Sequence, residues 1–158
     1  MENKILTKEY VLKNGIDFDD DDILEQEYLS DRILDNSKEA GGKPFTGLTY
    51  EMYPNGNIAY YCYYKNGFMD GDFVKFYNDE KIKSMQYMQR GRTYGMRKIW
   101  YNNGSLKSEG KYEYGVCLTL KEWDEEGNLI KEKSEPTEDD IKLRNSQEKF
   151  YKQAVEKE

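Results

Sequence analysis

Phe76-Tyr77-Asn78-Asp79-Glu80-Lys81-Ile82 and, 24 residues later, Trp100-Tyr101-Asn102-Asn103-Gly104-Ser105-Leu106 decide the fold. In each, an aromatic pair runs into a short polar stretch, and an aliphatic residue resumes the pattern on the far side. Asn and Gly tolerate positive φ, so Asn103-Gly104 reads as a tight turn between two strands. The series extends both ways. Met52-Tyr53-Pro54-Asn55-Gly56-Asn57-Ile58 precedes it, and Trp123-Asp124-Glu125-Glu126-Gly127-Asn128-Leu129 follows one residue early.

Other positions keep the same period of 24: Gly47, Gly71 and Gly95; Tyr53, Tyr77 and Tyr101; Ile58, Ile82 and Leu106; Gly67, Gly91 and Gly115. A fixed period of this length marks a repeat architecture. Each unit reads as a β-hairpin. Residues Leu48 to Tyr53 form one aromatic-rich strand, Ile58 to Tyr64 the next, and Lys65-Asn66-Gly67 turns the chain into the following unit. Asp79-Glu80 stands where other units have Asn-Gly and predicts a looser turn there. The expected fold is mainly β: consecutive antiparallel hairpins in one elongated, twisted sheet, with a short N-terminal α/β segment and a C-terminal helix. One hairpin is marginal alone, but stacked hairpins bury a continuous stripe.

Strict alternation assigns the faces. Met52, Phe76, Trp100 and Trp123 share one face of the first strands, and Tyr53, Tyr77 and Tyr101 the other. On the second strands Ile58, Ile82 and Leu106 share a face, as do Tyr64, Met88 and Tyr112. The face opposite the Ile/Leu ladder varies from unit to unit: Ala59, Tyr61 and Tyr63, then Lys83, Met85 and Tyr87, then Lys107, Glu109 and Lys111. Packing does not require such variation, whereas recognition uses it, and exposed Tyr and Met favour protein contacts. Tyr61, Tyr63, Met85 and Tyr87 are therefore candidate partner contacts. The alternative is that the N-terminal segment or the C-terminal helix covers them.

Composition narrows the function. With 158 residues the chain suits one domain, and 15 Tyr, 6 Phe and 2 Trp compensate for a hydrophobic fraction of only 37%. The sequence has no His, which excludes imidazole general bases and Ser-His-Asp or Cys-His catalysis. The two cysteines, Cys62 and Cys117, do not make a disulfide framework and read as reduced thiols of a cytoplasmic protein. No apolar run is long enough to span a bilayer, and the N-terminus lacks a signal-peptide pattern. No cofactor or metal motif stands out.

The net charge of −7 lies entirely in residues 1–40, which hold 12 acids against 5 bases; the rest is balanced, with 19 of each. Its centre is Asp17-Phe18-Asp19-Asp20-Asp21-Asp22. An acidic end disfavours nucleic acid and suits a basic protein partner. Asp17, Asp19, Asp20, Asp21 and Asp22 are thus a second set of candidate contacts. Alternatively, Asp22 caps a helix from Ile23 to Leu34, whose Leu24, Tyr28, Leu29 and Ile33 form a stripe. A calcium loop starting at Asp17 fits poorly, because Asp22 replaces the required Gly and Tyr28 the terminal Glu. Tyr10 to Ile16 reads as a strand meeting a turn. After Pro136, Thr137 and Asp140 resemble a capping box, and the helix they start docks on the last hairpin, hiding its open edge, or floats in solvent.

The aromatic-Tyr-Asn-x-x-x-aliphatic units, each followed by an aromatic-x-x-Gly step, resemble MORN repeats of the variant type. Lys43-Pro44-Phe45-Thr46-Gly47, leading into the first hairpin, is similar to the start of the repeats in bacterial YwqK-type antitoxins. The resemblance covers about residues 43–131. It implies a non-enzymatic antitoxin or immunity protein that neutralises a cognate toxin, encoded nearby and possessing a basic surface, by direct binding. The other reading is a MORN scaffold that binds another protein or a membrane surface. The expected organisation is an acidic segment at 1–42, repeats at 43–131 (47–70, 71–94, 95–117 and a partial 118–131), and a charged helical tail at 132–158.

Overall fold

A computed structural model describes residues 4–20, 24–27 and 30–158. Helix α1 (Lys8–Asn14) is followed by three short strands, β1 (Ile16–Asp17), β2 (Glu25–Gln26) and β3 (Ile33–Leu34). Eight longer strands then run in sequence: β4 (Gly47–Met52), β5 (Ile58–Lys65), β6 (Phe68–Phe76), β7 (Ile82–Gln89), β8 (Arg92–Trp100), β9 (Leu106–Glu113), β10 (Val116–Trp123) and β11 (Leu129–Lys133). Helix α2 (Glu138–Glu156) ends the fold. Strands β4 to β11 pair antiparallel, each with its sequence neighbour, and β1 adds to the outer side of β4 in parallel. Among the described residues no helix is long and apolar enough to cross a membrane.

Two kinds of turn alternate along the sheet. Loops of the Tyr53–Asn57 kind close each hairpin. Tyr53 N donates to Asn57 O at 2.8 Å, Gly56 N donates to Tyr53 O at 2.9 Å, and Asn55 Oδ1 accepts from Asn57 N. The loop with Asp79-Glu80 is not looser. It makes the same bonds, Tyr77 N to Lys81 O at 2.8 Å and Glu80 N to Tyr77 O at 3.0 Å, with Glu80 held at φ 73. The hydrogen bonds thus impose the glycine conformation on a residue with a Cβ. The other turns, Asn66-Gly67, Arg90-Gly91 and Tyr114-Gly115, have positive φ at both central residues. That is the turn whose twist matches antiparallel strands.

The repeating tyrosines join one unit to the next. Tyr53, Tyr77 and Tyr101 donate their hydroxyls to the carbonyls of Phe76, Trp100 and Trp123 at 2.7, 2.7 and 2.9 Å. The turn glycines do the same at the other end: Gly67, Gly91 and Gly115 N–H groups donate to Phe45, Met69 and Thr93 carbonyls at 2.7, 2.8 and 2.9 Å.

Strict alternation fails at one place in each hairpin. Met52 pairs with Ile58 while Glu51 pairs with Tyr60, so Ala59 is an extra residue. Lys83 and Lys107 are extra in the same way. The bulge reverses the side-chain order beyond it. Ile58 therefore packs with Tyr61 and Val74 rather than opposite them.

The core lies at the N-terminal end of the sheet. Thr7 caps α1, and Val11 is fully buried against Leu48, Ile58, Tyr61 and Val74. The strand expected at Tyr10–Ile16 is thus mostly helix, because an amphipathic turn docks Val11 where a strand could not. The helix expected over Ile23–Leu34 is also corrected: β2 and β3 form an antiparallel pair, Glu25 opposite Leu34 and Gln26 opposite Ile33. Leu24, Ile33 and Phe45 form a second cluster with Ile16, Phe18 and Tyr64 packed against it. Its reward comes from distant residues, which a helical stripe in sequence does not register.

The C-terminal helix starts with the Thr137–Asp140 capping box and docks against β10 of the last hairpin, as one reading expected, but it leaves the edge strand β11 largely exposed. It crosses the row of two-residue turns, reaching from Glu113 and Tyr114 to Arg90 and the Lys65-Asn66 turn. Strand β11 stays at the sheet end, where Lys131, Glu132 and Lys133 discourage edge pairing.

Candidate partner-binding site

A groove of about 810 Å³ lies between the β2–β3 pair, the strand ends flanking the turns at Gly67 and Gly91, and α2. Its N-terminal wall is set by a three-way backbone junction. Ile33 N donates to Gly67 O, Phe45 N to Ile33 O, and Gly67 N to Phe45 O, all within 2.8 Å. Phe18 stacks on Tyr64 at 6.3 Å and Phe45 leans on the same ring at 6.2 Å. Burial holds the Tyr64 phenol well above its usual range.

Arginines occupy the floor. Arg90 opens the β7–β8 turn, its N–H donating to Asp70 Oδ2 at 3.2 Å. Its guanidinium lies 4.4 Å from the Phe68 ring centroid, and Arg32 approaches the same ring at 5.6 Å. Arg90 also pairs with Glu158. Arg92, one residue past the turn, is exposed and makes no ion pair among the described residues. The Oε1 of Gln89 is buried without a hydrogen-bond partner among them.

Helix α2 forms the other wall. It buries no residue and is moored mainly by charge. Lys133 pairs with Asp140, and Arg144 pairs with Glu113 at 3.5 Å while stacking 5.1 Å above Tyr114. Tyr114 meets Tyr151 at 5.4 Å and Tyr94 at 5.2 Å. Phe150, 63% exposed, projects beside the groove.

The residues expected to contact a partner fall elsewhere and do not form one patch. Tyr61 is only 1% exposed, and its hydroxyl accepts the Leu6 N–H at 3.1 Å. It is a core residue covered by the N-terminal segment, which removes it from the candidate contacts. Tyr63 and Met85 are half-buried against the same cluster. Burial raises the Tyr63 phenol. Tyr87 is 44% exposed, beside the half-buried Asp72, whose carboxyl is pushed up by desolvation. Asp17 sits in β1 opposite Tyr50, with its Oδ1 accepting from Asp19 N at 3.1 Å. Asp19 is exposed and Asp20 half-buried. Asp21 and Asp22 lie outside the described residues, as does Ile23. Cys62 is fully buried, and burial pushes its thiol up to about 12. Cys117 lies five strands away, and both thiols are free.

Arg90, Arg92, Phe68 and Phe150 escaped the sequence reading. One signal was present: Asn66, Arg90 and Tyr114 are equivalent turn positions with three different side chains.

No family model matches the chain, and no solved structure does. The chain is 42% identical over 130 residues to the "Immunity protein YwqK" of Bacillus subtilis (strain 168), covering 82% of each sequence. Identity at this level, spread over most of both chains, shows that this protein belongs to the YwqK-type immunity protein family.

Proposed function

We propose that the protein is a non-enzymatic antitoxin that neutralises a cognate toxin, encoded by an adjoining gene, by binding it directly. The observation that carries this reading is the 42% identity to a protein named for immunity, over 82% of both chains. The architecture supports it. A row of hairpins braced at both ends presents a wide surface and a groove, and binding requires little more. The charge supports it too: −7 overall, all from residues 1–40, steers the chain towards a basic surface. The partner in this reading is a protein, not nucleic acid or a membrane.

The test is to purify the adjoining gene's product, confirm its toxicity and titrate this chain into it. A stoichiometric complex that abolishes the toxin's activity supports the reading. A toxin that neither binds nor is inhibited refutes it.

A further inference from the structure

We propose that the groove between the β2–β3 pair and α2 is the seat for a segment of the toxin that carries an apolar side chain next to a carboxylate. The inference rests on the reading of this chain as a toxin-binding protein, and it assigns the surface.

Three observations lead there. First, the groove holds an uncompensated cation. Among the described residues its lining carries Arg90, Arg92 and Asp31, and with Glu158 paired to Arg90 it is Arg92 that stands without an acidic partner, although the protein as a whole is acidic. Basic donors held in a concave aromatic setting favour a carboxylate, because a bidentate contact is strengthened where water is partly excluded. Second, the floor already seats a carboxylate. Glu158, two residues past the end of α2, pairs with Arg90 while that guanidinium stacks on Phe68. Arg92 stands beside it, exposed and with no such partner among the described residues. Third, the groove leaves other groups unmatched. Phe150 is 63% exposed at its wall, and Gln89 Oε1 is buried with no hydrogen-bond partner among the described residues. An apolar side chain seated against Phe150 would cover its exposed ring.

The open sheet face makes a weaker seat. Tyr87 and Met96 are exposed there, 44% and 45%. Their charged neighbours are already matched across strands, however: Lys98 faces Glu109 with a 4.0 Å contact, Glu109 faces Lys121, and Lys121 faces Glu132. Among the described residues no orphaned polar atom is found on that face; the unpartnered Arg97 Nε lies on the opposite one.

The test measures binding of the adjoining gene's toxin to the full chain and to four single variants, Arg92→Glu, Phe150→Ala, Tyr87→Ala and Met96→Ala. All four side chains are exposed, so the fold should survive, and a thermal melt checks this. The expected result is a loss of about 30-fold or more in affinity for each groove variant and no more than about threefold for each sheet-face variant. If the toxin binds the wild-type chain and either groove variant keeps wild-type affinity, the groove is overturned while the antitoxin reading stands. If the toxin does not bind the wild-type chain at all, both fall.

Discussion

The hydroxyl of Tyr77 donates to the carbonyl oxygen of Trp100 at 2.7 Å, tying one hairpin to the backbone of the next. Tyr53 and Tyr101 make the equivalent bonds. The repeating tyrosine is therefore a mortise between units, and its ring alone does not account for its recurrence. Tyr77→Phe keeps the ring and leaves the carbonyl without its donor. The expected cost is about 1 kcal/mol, read from the urea midpoint of unfolding. An unchanged midpoint would show that the hydroxyl is not structural.

Glu80 holds φ 73 in a loop where Gly56, Gly104 and Gly127 hold 85, 88 and 89. A side chain in that region is strained by roughly 1 kcal/mol. Glu80→Gly should raise stability by about 0.5–1 kcal/mol. Gly104→Ala should lower it by a similar amount, although a Cβ there meets nothing within 4 Å, so the loss reports backbone strain alone. Equal stabilities by chemical denaturation would contradict the shared loop geometry.

Val11 is the plug that fixes α1 over Tyr61. Val11→Ala removes fully buried methyl groups and opens a cavity, at a cost of about 2 kcal/mol. Hydrogen exchange should speed up first at the Leu6 amide, which is bonded to the Tyr61 hydroxyl. Exchange that is faster only in α2 would place the core elsewhere.

Helix α2 should respond to acid before the sheet does. The Lys133 hydrogen bond, helped by Thr137, holds the Asp140 carboxyl down at about 2 instead of its ordinary 3.8. Lys152 and Arg144 lower Glu148 as well. A carboxylate lowered by folding stabilises the folded state above its ordinary pKa, and the contribution fades as pH falls towards the folded value. Amide protection of residues 138–156 should therefore fall between about pH 4 and pH 2 while β5–β9 stay protected. A helix equally protected at pH 2 would mean that charge does not moor it.

How far the sequence could be read follows from where each element gets its stability. The hairpins repeat because each contains its own turn and its own link to the next unit, so Tyr77, Gly91 and Asn103 announce them locally. The faces were harder, since an extra residue at Ala59, Lys83 and Lys107 leaves no mark in an alternating pattern. Helix α1 and the β2–β3 pair depart from their local sequence pattern because tertiary partners decide them: Val11 lands on Leu48 and Tyr61, and Ile33 lands on Gly67 and Phe45. The groove was illegible for the same reason. Asp31, Arg90 and Phe150 are far apart in the chain and share no period. Family resemblance, by contrast, was visible in the repeats themselves and in Lys43-Pro44-Phe45-Thr46-Gly47.

The most direct measurement is a calorimetric titration of the purified chain into the toxin of the adjoining gene, with toxin activity followed in the same samples. The account predicts saturable binding and loss of activity at the same molar ratio. Absence of heat with undiminished toxin activity, or inactivation at far below one equivalent of this chain as a catalyst would achieve, would contradict it.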